Sequence, residues 1–427
     1  MKKLQPVRGT KDILEEDADI FRHVIETFEI TTYEYGFREI QTPIIEDSEV
    51  FKKTLGLTSD IIKKETYTFK DKSNNEITLR PEGTAPVIRF FINNKLHHPL
   101  PQKFNYSGPM FRYDRPQQGR LRQFHQLGAE IIGEKDISAD LELICIAKEF
   151  INTLEISSKE YKIHVNSLGN EESRKKYSIK LKNFFQDYKK ELTTESLERL
   201  KKNPLRILDT KNKEEKKLLT RAPKLKDFLS SESSDIFEKF KQECKELQIP
   251  IFVNDNLVRG LDYYNNICYE FIGSQDAFLA GGRYDGLIKR MGGPDYPGCG
   301  FAIGIERIRS MIMNYDSTKW RFQAHLKLPH KHYIAIAVGK ENKFKAMKII
   351  NEIRKKEARK HQIIINLICK DNLSKGLKYA SEKEASYAII IGEDEILKKQ
   401  LTIKDLITEE QKKIKIIEFG KHLTDLI

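Results

Sequence analysis

The stretch RYDRPQQGRLRQFHQLGAE, Arg112 to Glu130, decides how this chain is read. Its second half has the rhythm of a strand, in which successive side chains point to opposite faces. Arg122, Phe124, Gln126, Gly128 and Glu130 therefore share one side, while Gln123, His125, Leu127, Ala129 and Ile131 share the other. The first side reads as a binding floor. Phe124 offers a stacking surface, Gln126 and Glu130 offer polar contacts, and Gly128 leaves room for a ligand to approach the backbone. On the preceding strand the same alternation groups Gly108, Met110 and Arg112. The turn between the strands holds Arg115, Gln117, Gln118 and Arg120, a composition suited to phosphates and base edges. Taken alone, the pattern is equally that of a hairpin with a solvated charged tip.

Upstream of this hairpin, Ile20, Phe21, Val24 and Phe28 recur at helical spacing after the acidic cluster Glu15-Glu16-Asp17, and Gly36 stands where a helix would stop. Alternation then marks strands at Phe37–Ile40, Tyr67–Phe69, Ile77–Leu79 and Phe104–Tyr113. Residues 171–250 are rich in Lys and Glu at helical spacing and read as a helical insertion. Strand signals return at Ile251–Val253 and Tyr269–Ile272. Beyond about residue 325 the rhythm is βαβαβ, with apolar runs at His332–Val338, Ile363–Cys369 and Tyr387–Ile391. That alternation implies a separate domain with a largely parallel or mixed sheet. The expected organisation is α+β: an antiparallel core of six or seven strands over residues 1–325, interrupted by the insertion, and an α/β domain over 326–427.

A chain of 427 residues exceeds one ordinary core. No apolar run approaches the roughly 20 residues of a membrane span, and the start, Met1-Lys2-Lys3-Leu4-Gln5-Pro6, lacks the apolar centre of a signal peptide, so a cytoplasmic protein with no membrane partner is expected. Five scattered cysteines form no CxxC pair. The net charge of +12 is uneven. Residues 171–250 carry 21 basic and 15 acidic side chains, and residues 331–427 carry 21 and 14. A nearly neutral body with two basic appendages fits a polyanionic partner such as nucleic acid, although a lysine-rich genome would give the same excess.

No GxxxxGK[ST] phosphate loop is present, and the glycines after Gly298-Cys299-Gly300 lack dinucleotide-binding spacing. Five segments instead fall in a recognisable order: the helix and strand ending at Pro43, LRPEGT (Leu79–Thr84), the Arg112–Glu130 stretch, LVRGLDYY (Leu257–Tyr264), and Ala280–Arg307 with GGRYDGL and GCGFAIGIER. Together they resemble the three motifs of class II aminoacyl-tRNA synthetases and the two signatures particular to histidyl-tRNA synthetases.

The resemblance implies activation of histidine by ATP, accompanied by Mg2+, followed by transfer to a histidine tRNA, in a homodimer joined through the first helix and the strand near Pro43. It implies no tightly held protein-ligated metal. Arg112 and Arg259 would be catalytic, Arg112 at the α-phosphate and Arg259 at the α-phosphate and substrate carboxylate. Arg120, Phe124 and Arg307 would bind ATP, with Arg307 stacked on adenine opposite Phe124. Glu82, Thr84 and Gln126 would surround the α-amino group, with Glu130 and Tyr264 at the imidazole and Tyr284 lining that end. Arg115, Gln117 and Arg120 would meet the tRNA acceptor end, and the C-terminal domain the anticodon. A pocket that hydrogen-bonds a polar side chain rejects analogues lacking it by roughly 10⁴ to 10⁵, so no proofreading domain is expected.

Several residues read as structural. His97, His98 and His125 lack partners at metal-ligand spacing, and His125 falls on the face opposite the floor. Tyr263 reads as core. Glu82 could equally cap a helix, and Asp262 could orient Arg259 or close a turn. The sequence departs from the family pattern at Tyr113-Asp114, where His-Glu is common, at Ala280, where a third glycine is common, and at Cys299, which replaces a small apolar residue. A synthetase-like regulatory subunit of ATP phosphoribosyltransferase would share the fold, but it usually lacks the C-terminal domain and degrades the catalytic signatures. A plain RNA-binding module would explain the basic appendages but not the constellation from Glu82 to Arg307.

Overall fold

The first helix, α1 (Glu15–Glu34), buries Ile20, Phe21, Val24 and Phe28 as one stripe and carries Glu15, Glu16 and Asp17 in its first turn, where the helix dipole favours carboxylates. The chain leaves it through Gly36, whose φ of +81° is a left-handed conformation that glycine adopts without strain. This computed structural model describes residues 4–55, 61–114, 121–210, 212–258, 261, 263–274, 276–315, 331–361 and 363–425. The chain divides into two compact units, residues 1–315 and 316–427.

Unit 1 is built on an eight-stranded sheet. Its strands are β1 (Arg38–Glu39), β5 (Gln102–Phe111), β6 (Gln123–Ile132), β7 (Lys162–Ser167), β8 (Ile251–Val253), β9 (Asn265–Ile272), β10 (Ala277–Arg283) and β11 (Gly298–Gly304), in the order β1-β5-β6-β11-β10-β9-β7-β8. From β5 through β7, six strands run antiparallel. The outer two, β1 and β8, join in parallel, which takes the total past the expected six or seven. Each is only two or three residues long and is joined to its neighbour by a long connection containing helices, the kind of connection that parallel pairing needs. The alternating runs β3 (Tyr67–Lys70) and β4 (Glu76–Leu79) pair with β2 (Ile45–Asp47) in a separate three-stranded sheet.

Helices cover both faces of the sheet's centre. On one face α1 packs with α4 (Ser138–Thr153): Phe28 meets Phe150 edge-on at 5.4 Å and Phe301 of β11 at 6.2 Å. His125 lies on this face, edge-on to Phe21 at 5.3 Å and hydrogen-bonded through Nδ1 to Glu306 at 3.1 Å. The opposite face holds α3 (Thr84–Asn93), which follows the α2 helix (Ser48–Leu55) in the chain. Between β7 and β8 the chain is helical: α5 (Glu171–Asp187), α6 (Thr194–Lys202), α7 (Lys213–Leu219) and α8 (Ser231–Glu246). Each starts where its sequence supplies a cap, since Asn170, Thr193, Asn212 and Ser230 accept the first free backbone N–H groups. Two further helices, α9 (Leu287–Arg290) and α10 (Ile305–Tyr315), complete the unit.

Unit 2 has a mixed five-stranded sheet, ordered β13-β12-β14-β15-β16, from β12 (Lys331–Val338), β13 (Ile363–Lys370), β14 (Tyr387–Ile391), β15 (Gln400–Asp405) and β16 (Gln411–Lys415). The β12 strand is parallel to β13 and β14, and the last two strands add antiparallel. Its central run is apolar throughout because both faces are buried. Tyr333, Ala335 and Ala337 enter one cluster with α11 (Lys343–Ile353) and α14 (Phe419–Asp425), while Ile334 and Ile336 enter another with α12 (Leu373–Glu382). A short α13 (Glu393–Leu397) links β14 to β15. Among the described residues no helix is long and apolar enough to cross a membrane.

One buried ion pair fixes the end of β10. Arg283 Nε donates to Asp140 Oδ2 at 3.0 Å, its Nη2 donates to the same oxygen, and the Glu134 and Asp136 carbonyls each accept from the guanidinium at 3.0 Å. Both side chains are sealed from solvent. Asp140→Ala leaves that buried guanidinium with only the more exposed Asp285, 3.5 Å away, as counter-charge and should lower the stability of unit 1 by about 3 kcal/mol. Denaturant titration followed by hydrogen exchange should show the loss in unit 1 peptides with unit 2 unchanged. A loss below about 1 kcal/mol would contradict the assignment.

Candidate active site

Glu130 has no exposed surface, and the strands around it are cut to fit its carboxylate. Gly300 faces it from β11, and a Cβ there would lie 1.7 Å from Glu130 Oε2, so GCGFAIGIER needs a glycine at this position. The Thr84 hydroxyl donates to Oε1 at 2.7 Å and the Tyr284 hydroxyl to Oε2 at 2.8 Å. No lysine or arginine pairs with it among the described residues. Burial raises its carboxyl to about 8; the two hydroxyl bonds pull the other way, and Glu82 nearby adds to the rise.

Glu82 sits at the start of α3 and accepts from Thr84 N–H at 2.7 Å and Ala85 N–H at 2.9 Å. It is both a helix-terminus residue and part of the cleft wall. Burial raises its carboxyl too, against the backbone bonds and the positive charge of Arg112. The LRPEGT segment is tied to the next one because Arg112 Nε donates to the Pro81 carbonyl at 2.8 Å. Arg80 of the same segment is structural: its guanidinium bonds the Thr42 and Pro109 carbonyls.

Glu82 and Thr84 open onto a cleft of about 930 Å³ that also takes in Arg112, Phe124, Gln126, Tyr264 and Arg307. Seven of the residues singled out by sequence therefore share one cavity. Glu130 and Tyr284 lie just behind it, reached through Thr84. The Arg112 guanidinium stacks over Phe124, 5.2 Å from the ring centroid. Arg307 donates to the Ala277 carbonyl and approaches Asp276 at 3.9 Å. The Gln126 Oε1 is buried with no hydrogen-bond partner among the described residues. Tyr263 is buried beside Tyr264, ring centroids 4.6 Å apart, and also touches the cleft. Arg259, Arg115, Gln117, Arg120 and Asp262 lie outside the described residues.

One expectation is corrected. Gly128 does not leave open floor for a ligand: the ring of Tyr106 from β5 occupies that space, and a Cβ on Gly128 would stand 2.1 Å from its Cζ. Reading β6 alone misses the side chain that its partner strand lays across it. Also missed are cleft-lining residues of the insertion, among them Thr193, Ser196, Arg199 and Arg206. Their chemistry was visible, but their approach to the sheet depends on how the insertion folds back. Among the described residues no group of three or more His, Cys, Asp or Glu side chains is placed to hold a metal.

The antiparallel sheet thus brings arginines, a stacking ring and the buried carboxyl of Glu82 to one cleft, with Glu130 just behind it. Residues 9–308 match the family model described as histidyl-tRNA synthetase, and residues 333–426 match an anticodon-binding domain. The histidine–tRNA ligase of Rickettsia rickettsii is 40% identical, covering 99% of this chain and 98% of that protein. The histidine–tRNA ligase of Rhodospirillum rubrum is 41% identical over 97% of each. The solved apo histidyl-tRNA synthetase of S. aureus superposes with a TM-score of 0.77 at 30% identity, over 99% of this chain and 100% of that one. The chain belongs to the histidyl-tRNA synthetase family, and its activity is that of a histidine–tRNA ligase.

The buried carboxyl gives the fold a pH signature. An ordinary glutamate ionises near 4.5, so Glu130, raised to about 8, favours folding fully below about 4.5 and loses that contribution as pH rises through 8. Glu130→Gln should therefore melt at the wild-type temperature near pH 5 and above it at pH 8.5. Calorimetric scans of the ligand-free protein at the two pH values test this, and a gap that does not widen with pH would contradict it.

Proposed function

We propose that the cleft carries out the ligation in two steps, with ATP as the activating substrate. The histidine carboxylate attacks the α-phosphorus of ATP and pyrophosphate leaves. A hydroxyl of the terminal tRNA ribose then attacks the activated carbonyl and AMP leaves. The observation that supports this best is the pairing of two environments. The cleft itself holds Arg112 and Arg307 with Phe124, and just behind it, reached through Thr84, lies Glu130, a buried carboxyl lacking a described cationic partner. A substrate with an imidazole at one end and a carboxylate facing triphosphate at the other complements both.

In this reading Glu82, Thr84 and Gln126 receive the α-ammonium, and Glu130 receives an imidazole N–H, with Tyr264 and Tyr284 beside it. Arg112 meets the α-phosphate, with its grip on Pro81 setting its direction. Arg307 leaves the Ala277 carbonyl to stack on adenine opposite Phe124. Arg259 neutralises charge developing on the α-phosphate, and Arg115, Gln117 and Arg120 meet the acceptor end. Mg2+ arrives with ATP, whose phosphates, together with waters, supply most of its oxygen ligands. Unit 2, with its excess of basic residues, takes the anticodon, phosphate contacts giving it affinity and register. The protein works in the cytoplasm as a homodimer, the exposed Ile30 and Tyr33 of α1 and Ile44 beside β2 providing apolar surface for a second copy.

Histidine-dependent exchange between pyrophosphate and ATP tests the chemistry. Arg259→His replaces a permanently charged fork with a shorter, mostly neutral ring. It should fold and bind ATP yet exchange about 10² to 10³ more slowly, the usual effect of removing one preorganised donor. Near-normal exchange in a folded variant would show that Arg259 has a structural part instead.

A further inference from the structure

Tyr106 lies directly opposite Gly128 in the β5–β6 pair, on the face that carries Phe124, Gln126 and Glu130. Its ring passes between two glycines. A Cβ on Gly128 would lie 2.3 Å from its hydroxyl oxygen, and a Cβ on Gly83 would lie 2.6 Å from the same atom. The side chain is 3% exposed, and the hydroxyl has no hydrogen-bond partner among the described residues. The hydroxyl hydrogens of Thr84 and Tyr284 go to Glu130, and Glu82 accepts from the first turn of α3, so none of these groups donates to the Tyr106 oxygen.

An unpaired hydroxyl in such a place costs about 1–3 kcal/mol, and phenylalanine would fill the same slot between the glycines without that cost. The group makes physical sense if something else completes its bonding. Burial, with Glu130 and Glu82 adding to it, holds its ionisation well above 10, so it is a hydroxyl at working pH and can donate or accept.

We propose that Tyr106 is a further specificity-determining residue, whose hydroxyl hydrogen-bonds the imidazole of bound histidine. The inference rests on the reading of the Glu130 end as the imidazole end. It explains why two glycines, Gly83 and Gly128, flank one tyrosine: they admit the ring so that its oxygen lies near Thr84 and Glu130, behind the cleft wall. Sites that satisfy a substrate's polar group this way discriminate strongly against isosteres lacking it.

The test is Tyr106→Phe, measured beside Glu130→Gln. The expected result is a folded enzyme whose melting temperature equals or exceeds that of wild type. Its KM for histidine in pyrophosphate exchange should rise about 5- to 150-fold, the equivalent of one lost hydrogen bond to a buried group. The KM for ATP should stay within twofold, and the preference for histidine over 2-thienylalanine, whose ring has no nitrogen, should shrink. If Tyr106→Phe leaves the histidine KM unchanged while Glu130→Gln raises it, the pocket reading stands and the Tyr106 proposal falls. If neither variant changes it, the pocket reading itself fails. A lower melting temperature with histidine and ATP affected equally would make Tyr106 a structural residue and overturn the proposal.

Discussion

A carboxyl group removed from water, held only by hydroxyl groups and kept protonated at neutral pH by its burial, is the constraint around which unit 1 is arranged. An isolated buried charge is among the least favourable things a fold can contain, and proteins normally pair it or neutralise it. Glu130 has Thr84 and Tyr284 instead of a described lysine or arginine. Three separate segments must converge for that: LRPEGT brings Thr84, β6 brings Glu130, and GGRYDGL brings Tyr284. A fourth, GCGFAIGIER, contributes the absence of a side chain at Gly300. The Arg283–Asp140 pair, adjacent in sequence to Tyr284, then fixes the end of β10 against α4. Structure around the site is dense, while the site itself is left electrostatically incomplete.

That incompleteness links the fold to selectivity. In the proposed reading, a ligand bearing a ring N–H supplies a further partner, and one without it leaves the desolvated acid with its two hydroxyl bonds alone. The same principle extends to Gln126 and Tyr106, whose unpaired oxygens lie on the same face of the sheet. Elsewhere in the cleft, the contacts of Arg112 include a carbonyl and a ring, and those of Arg307 a carbonyl and a half-exposed aspartate. Such contacts are readily exchanged for phosphates, to which a guanidinium binds with paired, charge-assisted hydrogen bonds.

Much of this was legible in the sequence because strand alternation is a local property. The two faces of β6 follow from counting, and so does the placement of His125 away from the cleft. The βαβαβ rhythm of unit 2 was equally local, with Tyr387–Ile391 forming a strand over the same residues. What escaped depends on partners distant in the chain. Gly128 looked like open floor because Tyr106 sits 22 positions earlier on another strand. The parallel edges β1 and β8 are too short to announce a direction, and β2, β3 and β4 alternate like main-sheet strands although they form a sheet of their own. The insertion's contribution to the cleft required knowing where its capped helices return, which no local pattern specifies.

The central claim is that Glu130 and the substrate imidazole share a single proton. Isothermal titration of histidine in buffers of different ionisation enthalpy counts the protons exchanged. Near pH 7.2 the empty site holds its proton on Glu130 and free imidazole is mostly neutral, so binding should exchange almost none at this pair. At pH 8.5, where Glu130 of the unliganded protein has lost most of its proton and free imidazole is neutral, forming the shared pair takes a proton up, and wild type should take up most of one more per histidine than Glu130→Gln does. Identical proton counts for the two proteins at both pH values would contradict the account.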